Sequence, residues 1–149
     1  ICRTEWAFPS AIEVSDARKG IIKCLYVEEN GMNELEFGVI NDVANLSNVL
    51  CWHRVIERRD YHLNGWWMHN HYPDFIVITK NANVILVETK GGDRDNSDTE
   101  RKIELGRRWQ EVSGETVGGR KWRYFCVFDK DPMSGAIDKT ELLETLKNL

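Results

Sequence analysis

The sequence predicts one α/β domain in which helices flank a central mixed sheet. Hydrophobic residues make up 42% and charged residues 30% of the 149-residue chain, which is typical of a globular domain with one core. Segments with helical periodicity and segments rich in β-branched and aromatic residues follow one another along the chain. Their order is helix, three strands, helix, strand, helix, which predicts a mixed sheet covered on both faces.

Residues 1–30 are predicted to form an N-terminal arm that packs on the core, because they show no helical periodicity. Within this arm, "GIIKCLYVEE" predicts one short strand. The first residue is Ile1 rather than methionine, which predicts that the chain is a piece of a longer protein.

The first helix is predicted over "GMNELEFGVINDVANL", where apolar residues recur at steps of three and four. These residues are Met32, Leu35, Val39, Val43 and Leu46. Glu36 lies at the edge of this apolar stripe, and the helix alone favours a solvated glutamate there.

Three strands are predicted next. "NVLCWHRVIERRDY" predicts the first, a turn around Asn64 and Gly65 follows, and the second and third cover 71–79 and 83–90. Alternation in the third strand places Val84, Leu86, Glu88 and Lys90 on one face and Ile85, Val87 and Thr89 on the other. Both faces are apolar up to position 88, which predicts a central strand.

A second helix is predicted to begin with Ser97 or Asp98 as N-cap and to end at Gly114. "KWRYFCVFD" then predicts a strand, and "DKTELLETLKNL" a terminal amphipathic helix. The tryptophans are predicted to pack in the core and at its edges rather than to stack on bases.

The composition restricts the environment and the partners. Four cysteines, Cys2, Cys24, Cys51 and Cys126, form no CxxC pair, which predicts reduced thiols in a cytoplasmic protein. No apolar run approaches the roughly 20 residues that span a bilayer. Because the net charge is −4, binding to nucleic acid would need a local basic patch or other parts of the protein.

Two carboxylates in the predicted hairpin are candidates for a metal site. Asp74 shares a face with Glu88 if an odd number of residues separates the paired positions, as in a three-residue loop through Asn81, or if a bulge lies near Pro73. A divalent cation relieves the repulsion between two close carboxylates. Mg²⁺ prefers such oxygen ligands, and a lysine such as Lys90 beside it can orient a water and neutralise charge on a phosphate.

These residues resemble a known motif. "PDF" and "ETK", with thirteen residues between Asp74 and Glu88, resemble the PD-(D/E)xK nuclease motif in order and in strand context. "MNELE", "WHR", "HYPDF", "ILVETKG" and "KIELGRRWQE" together resemble the C-terminal endonuclease domain of type III restriction enzymes and of related superfamily 2 helicase–nucleases. The resemblance implies a nuclease domain over 31–149 with a restriction-endonuclease-like αβββαβ core.

The resemblance also implies an activity. Such a domain is a metal-dependent endodeoxyribonuclease of a bacterial or archaeal defence enzyme, using Mg²⁺ with Mn²⁺ as a substitute. It implies that Asp74, Glu88, Glu36 and the backbone carbonyl of Thr89 bind the metal and that Lys90 is catalytic. Gln110 matches a helical polar residue that supports the site.

The implied partners are double-stranded DNA, an ATP-driven helicase motor on the same polypeptide, and a methyltransferase or specificity subunit. No GKT/S phosphate loop is present, so no nucleotide site is predicted in this chain. Five basic residues are candidates for contacts to the DNA backbone, with a solvated surface as the alternative. They are Arg54, which matches an "HRN"-like stretch from which Val55 departs, and Arg58, Lys102, Arg107 and Arg108.

Two other functions are compatible with parts of this pattern. A nuclease fold without catalysis could serve DNA docking or subunit assembly. Against this, the four residues of the implied site, Glu36, Asp74, Glu88 and Lys90, are all present. A hydrolase could use Asp74 and Glu88 as an acid–base pair, but such a site would not need Lys90.

Overall fold

A computed structural model describes residues 7–14, 20–26, 28–65, 69–92, 97–113 and 120–149. The elements are α1 (Glu34–Ala44), β1 (Val49–Arg54), β2 (Phe75–Thr79), β3 (Val84–Lys90), α2 (Ser97–Ser113), β4 (Trp122–Phe128), β5 (Ala136–Ile137) and α3 (Lys139–Lys147). This order confirms the predicted helix, three strands, helix, strand and helix. The two-residue strand β5 was not predicted, because two residues are too few to show a periodic pattern.

The five strands form one mixed sheet in the order β1-β2-β3-β4-β5. β1, β2 and β3 are antiparallel neighbours, whereas β4 pairs in parallel with β3 and with β5. The prediction that β3 is central is therefore confirmed. Its parallel partner β4 is reached through α2, because a parallel connection must cross from one end of the sheet to the other.

Helices cover both faces of the sheet. On one face, α1 and α3 pack through Val39, Ile40 and Leu142 against Val77 and Val87 of the central strands. On the other face, α2 packs with Leu86 and the β4 side chains. Trp52, Trp109 and Trp122 are buried in these two clusters, as predicted. Trp66 and Trp67 lie outside the described residues.

The start of α1 differs from the expectation for Glu36. Asn33 caps the helix and accepts a hydrogen bond from the Glu36 N–H, while the Glu36 carboxylate accepts the Asn33 N–H. This capping box satisfies donors that the first turn otherwise leaves free. The prediction of a solvated glutamate is wrong, because Glu36 is buried with its carboxylate turned back toward the cap.

The start of α2 and the arm also differ from expectation. Ser97 and Asp98 are helical residues rather than the cap, and position 96 and Gly114 lie outside the described residues. The short strand predicted over 20–29 is absent from the described part of the arm, where Cys24 makes a single parallel bridge to Trp52. Lys23, at φ 62°, interrupts an extended backbone at this point.

The β2–β3 hairpin has the predicted odd loop through Asn81. Ile78 pairs with Val84, the Thr79 N–H donates to the Asn83 carbonyl at 3.0 Å, and residues 80–82 connect the strands. Phe75 pairs with Val87, so one further step places Asp74 opposite Glu88. The loop at one end of the hairpin thus fixes which residues meet at the other end.

The last residue of this loop provides a test of the backbone. Ala82 has φ 61°, a left-handed conformation that disfavours residues with a side chain. We expect Ala82→Gly to raise the free energy of unfolding by about 1 kcal/mol, measured by urea denaturation. Ala136→Gly in β5 is the matched control and should lower it, because glycine weakens an ordinary strand. Equal effects at both positions would contradict this account.

Across the described residues, no helix is both long enough and apolar enough to span a membrane. Cys24, Cys51 and Cys126 carry free thiols.

Candidate metal and phosphodiester site

The candidate site lies where β2 begins and β3 ends. Asp74 forms a bend immediately before β2, and Glu88, Thr89 and Lys90 are the last residues of β3. The antiparallel register brings these positions together, because the first residue of one strand lies beside the last residues of the other. Asp74 lies close enough to Glu88 for its charge to raise the pKa of Glu88, although its carboxylate bonds Thr89. That Asp74 and Glu88 share one face of the sheet stays a prediction.

Asp74 is fixed to the end of β3. Its Oδ2 accepts the Thr89 N–H at 2.7 Å and the Thr89 hydroxyl at 2.8 Å. Its Oδ1 accepts from the Arg54 guanidinium at 2.8 Å. A carboxylate with several charge-assisted or backbone donors is held in one orientation. Thr89 therefore orients Asp74 through its N–H and hydroxyl, while the predicted role of its carbonyl stays a prediction.

Arg54 joins two of the predicted ligands. At the end of β1, its Nη2 lies 3.2 Å from the Glu36 Oε1, while its Nη1 bonds Asp74. The guanidinium also lies 5.4 Å from the centre of the Phe75 ring. Arg54 was predicted to contact DNA phosphate, but its guanidinium is engaged with Glu36 and Asp74. The planar fork of arginine suits this double contact.

Glu88 is paired with a cation from α2. The Lys102 Nζ lies 2.8 Å from the Glu88 Oε1 and 3.5 Å from the Asp98 carboxylate. Lys102 was predicted to face DNA, and sequence reasoning did not place it at the metal site. The sequence shows only that Lys102 lies five residues beyond Ser97 in the helix that follows β3. That position does not determine how the helix is rotated about its axis, and so does not show which way Lys102 points.

The electrostatics of Glu88 are those of a carboxyl held away from water. Burial, and then the negative charge of Asp74, raise the pKa of Glu88 to about 8, although Lys102 and Arg54 act to lower it. Burial acts to lower the pKa of Lys102, but Glu88 outweighs it and the net pKa is raised. The Glu88 Oε2 is buried and has no hydrogen-bond partner among the described residues.

His71 lies behind Glu88 as a neutral group. Burial, and then the nearby Lys102, lower the pKa of His71 to about 4. Its Nε2 is 2.9 Å from the Tyr124 hydroxyl and 4.0 Å from the Glu88 Oε2, so its hydrogen bond is with Tyr124. The His71 ring is buried and so is not available for contacts with a phosphate at the surface.

Lys90, the predicted catalytic lysine, is half-buried at the end of β3 and shares a face with Glu88 by alternation. Among the described residues, the carboxylates of Glu36, Asp74 and Glu88 pair with Arg54 and Lys102 rather than with Lys90. Lys90 is thus the last residue of β3 and makes no ion pair with these acids among the described residues, and its catalytic role stays a prediction.

The other predicted residues contact different groups. Arg58 is 88% exposed at its side chain and lies beside Glu57. Arg107 and Arg108 both bond Glu104 on the exposed side of α2. The Gln110 Oε1 accepts the Tyr124 N–H at 3.0 Å, so Gln110 fastens α2 to β4. None of these named contacts is with Glu36, Asp74 or Glu88.

The donor chemistry of the site fits a hard divalent cation in part. Carboxylate oxygens from Asp74 and Glu88 are the ligand type that Mg²⁺ prefers, and the Glu88 Oε2 is a buried oxygen without a donor. In the described ranges, no group of three or more His, Cys, Asp or Glu side chains is arranged to hold a metal. Arg54 and Lys102 bond one oxygen of each of the three carboxylates. The Asn33 N–H bonds the second oxygen of Glu36, and Thr89 bonds the second oxygen of Asp74.

Replacing Glu88 tests this electrostatic picture through pH. The folded protein keeps the Glu88 proton up to about pH 8, whereas the unfolded chain loses it near pH 4.5. Since the folded state binds the extra proton, Glu88 makes the free energy of unfolding fall as pH rises between these values, by at most about 1.4 kcal/mol per pH unit. We expect Glu88→Gln to gain stability over the parent progressively from pH 5 to 8.

Urea denaturation at several pH values checks this result, with Glu100→Gln on the exposed side of α2 as control. His53 keeps the same partners in both proteins, so its effect cancels in the difference. The pKa of His71, lowered by burial to about 4, keeps its ring neutral in the folded protein over this range. A stability difference that is constant with pH would show that Glu88 is ionised throughout the range.

At this end of the sheet, Arg54 thus joins Glu36 to Asp74, and Lys102 pairs with Glu88. A scan against protein-family models, a search of curated proteins and a search of solved structures gave no match to this chain.

Proposed function

We propose that this chain is a metal-dependent endodeoxyribonuclease domain that hydrolyses DNA phosphodiester bonds, with a restriction-endonuclease-like αβββαβ core. The single observation that supports this most is Glu88. It is a carboxyl at the end of the central strand, 6% exposed, opposite Asp74, with one oxygen on Lys102 and the other without a partner. A divalent cation would offset both the free-energy cost of burying this charge and its repulsion by the charge of Asp74.

The residues that would hold Mg²⁺ are Glu88 and Asp74, with Glu36 completing the set. When bound, the ion supplies a Lewis acid that lowers the pKa of a coordinated water and neutralises phosphate oxygens. Lys90 is placed at the solvent end of the same strand, where an ammonium group can orient a water and stabilise negative charge on the phosphate. Arg54 keeps Asp74 and Glu36 at a fixed spacing.

The arrangement of elements supports the same proposal. α1 delivers Glu36, β2 and β3 deliver Asp74 and Glu88, and α2 follows β3 to supply Lys102. The net charge of −4 indicates that most of the grip on DNA comes from elsewhere in a larger assembly, such as a helicase motor. Arg58, Arg107 and Arg108 are exposed and can add backbone contacts.

A second candidate is a nuclease fold without catalysis that serves docking or assembly. The observation in its favour is that Asp74 and Glu36 already bond protein donors through both of their oxygens. Metal binding at Asp74 and Glu36 would then need the Arg54 guanidinium to move, which costs the two ion pairs.

Metal titration and plasmid cleavage separate the two candidates. We expect Mn²⁺ to bind the 149-residue chain in calorimetry at pH 7, and to support slow nicking of supercoiled plasmid at low salt. Glu88→Gln should lose both, while Glu100→Gln should keep both. Binding without nicking at any protein concentration would favour the docking module, and unchanged binding in Glu88→Gln would overturn the metal site.

A further inference from the structure

A buried acid–imidazole–acid cluster lies beside the candidate site and is not part of it. The His53 Nδ1 is 2.9 Å from the Glu29 Oε2, and its Nε2 is 2.7 Å from the Asp60 Oδ2. All three side chains are 1% exposed. Glu29 belongs to the N-terminal arm, His53 to β1 and Asp60 to the segment that follows β1, so the cluster connects three parts of the chain.

With both acids ionised, this geometry calls for two donors on the imidazole. Each ring nitrogen faces a carboxylate oxygen, and a neutral imidazole has only one N–H to give. The same two oxygens also accept backbone groups, from the Arg54 N–H at 3.3 Å and the Ile56 N–H at 2.6 Å. Burial acts to lower the pKa of His53, but its hydrogen bonds to Asp60 and Glu29 outweigh this and raise the pKa to about 9.

Among the residues that the structure describes, the ring contacts no other charged side chain. Phe8 and Tyr26 of the arm approach it edge-on, with centroids at 5.8 Å and 5.1 Å. β2 places the apolar Ile76 directly across from His53. Glu29 and Asp60 are thus the charged side chains that contact the ring among the described residues. The Tyr26 N–H also donates to Glu29 at 3.3 Å, which ties the arm to the same carboxylate.

The cluster is connected to the site through the backbone. Glu29 accepts the N–H of Arg54, and Asp60 accepts the N–H of Ile56. Between them, the Val55 N–H donates to the Asp74 carbonyl at 2.9 Å. The segment that carries the Arg54 guanidinium is therefore held on both sides by the two acids that His53 joins.

We propose that His53, as a buried imidazolium between Glu29 and Asp60, fastens the N-terminal arm to the end of β1 and thereby positions Arg54 between Glu36 and Asp74. The positioning of Arg54 stands on the contacts themselves, and its consequence for cleavage rests on the proposed nuclease function. The arm then helps to position a residue of the site, in addition to covering the core.

This arrangement makes the position of Arg54 dependent on pH. A group whose folded pKa is raised contributes stability that is fully present below its unfolded pKa, here near 6.5, and is lost as pH rises through about 9. Above that pH, a neutral ring faces two buried carboxylates, and the buried Asp60 Oδ1 already has no partner among the described residues. The arm and Arg54 should then loosen together.

The first measurement follows the His53 ring by NMR from pH 6 to 10 in the unmodified chain, with His53→Gln used to assign its signal. We expect a titration midpoint near 9. A midpoint below 7 would overturn the proposal, since the ring would be neutral at neutral pH. The titration is measured on the unmodified chain, and a folded variant is needed only to assign the His53 signal.

The second measurement tests positioning through a double-mutant cycle. The coupling between Arg54→Gln and Asp74→Asn is measured by urea unfolding at pH 7 in the parent, in His53→Gln and in the exposed control His69→Gln. We expect the coupling to fall by more than half in His53→Gln and in the parent at pH 10, and to persist in His69→Gln. Equal coupling in every background would show that the cluster has only a structural role.

Where His53→Gln does not fold, Glu29→Gln replaces it, because the amide keeps an acceptor for the Arg54 N–H while removing the charge. Neither measurement uses metal or DNA. A negative result here therefore leaves the nuclease proposal intact, and failure of the cleavage tests leaves this inference intact.

Discussion

Alanine at Asp74 is expected to abolish metal binding and DNA cleavage together, whereas alanine at Lys90 is expected to abolish cleavage alone. In the proposed metal site Asp74 is one of few carboxylate ligands, so its loss should prevent metal binding. Lys90 is not a ligand, and its removal takes away only a cation near the charge that develops on the phosphate. Loss of a positive neighbour can even raise the affinity of the site for metal slightly.

The measurement pairs Mn²⁺ calorimetry with plasmid cleavage for each variant. Asp74→Asn is included because an amide oxygen can still accept from the Thr89 N–H, which separates loss of charge from loss of the local hydrogen bonds. Lys80→Ala, at an exposed position in the hairpin loop, is the control for Lys90→Ala and should cut at the parent rate.

Two results would refute these roles. If Lys90→Ala cleaves DNA near the parent rate, another cation stabilises the charge on the phosphate. Lys102 is the first candidate, because it already contacts Glu88. Unchanged Mn²⁺ affinity in Asp74→Ala and Asp74→Asn would show that the carboxylate serves only to hold Arg54 and Thr89.

The same substitution at two helical glycines is expected to have opposite effects on stability. A Cβ at Gly106 of α2 would lie 2.2 Å from the Tyr124 ring, whereas a Cβ at Gly38 of α1 would meet nothing within 4 Å. Overpacking of this kind typically costs about 1–3 kcal/mol, and glycine to alanine in an open helical position gains up to about 1 kcal/mol. We therefore expect Gly106→Ala to destabilise the protein and Gly38→Ala to stabilise it.

Gly106→Ala should also disturb the site. Lys102 lies one helical turn before Gly106 on α2, so a helix displaced by the clash with Tyr124 would carry Lys102 away from Glu88. Urea denaturation measures both stabilities, and the pH dependence of the Gly106→Ala variant reports whether the carboxyl of Glu88 has lost its partner. A stabilised Gly106→Ala protein would mean that α2 does not approach β4 as closely as the structure shows.

The sequence predicts those features of the site that depend on residues close together in the chain. Alternation along β3 placed Glu88 and Lys90 together, and a three-residue loop through Asn81 sets the register that brings Asp74 opposite Glu88. The order of helices and strands followed from periodicity in the same way. Each of these inferences uses residues within one hairpin or one element.

The contacts that the sequence did not predict depend on the packing of distant elements. Whether Lys102 reaches Glu88 depends on how α2 is rotated over the sheet, which periodicity gives only to within part of a turn. The burial of His53 is not predicted by its neighbours in the chain, because its partners Glu29 and Asp60 come from the arm and from a loop. Glu36 was misjudged because its burial comes from a cap and from Arg54.

The short loop of the hairpin also has a kinetic consequence. β2 and β3 are joined by a tight connection, so they can pair in about 1–10 µs, whereas the parallel pairing of β3 with β4 must wait for the intervening helix and a larger loss of chain entropy. Asp74 and Glu88 would therefore meet before Lys102 arrives, and the early folding nucleus would carry two unneutralised acids. Moderate salt, which screens that repulsion, is expected to speed refolding more than it slows unfolding.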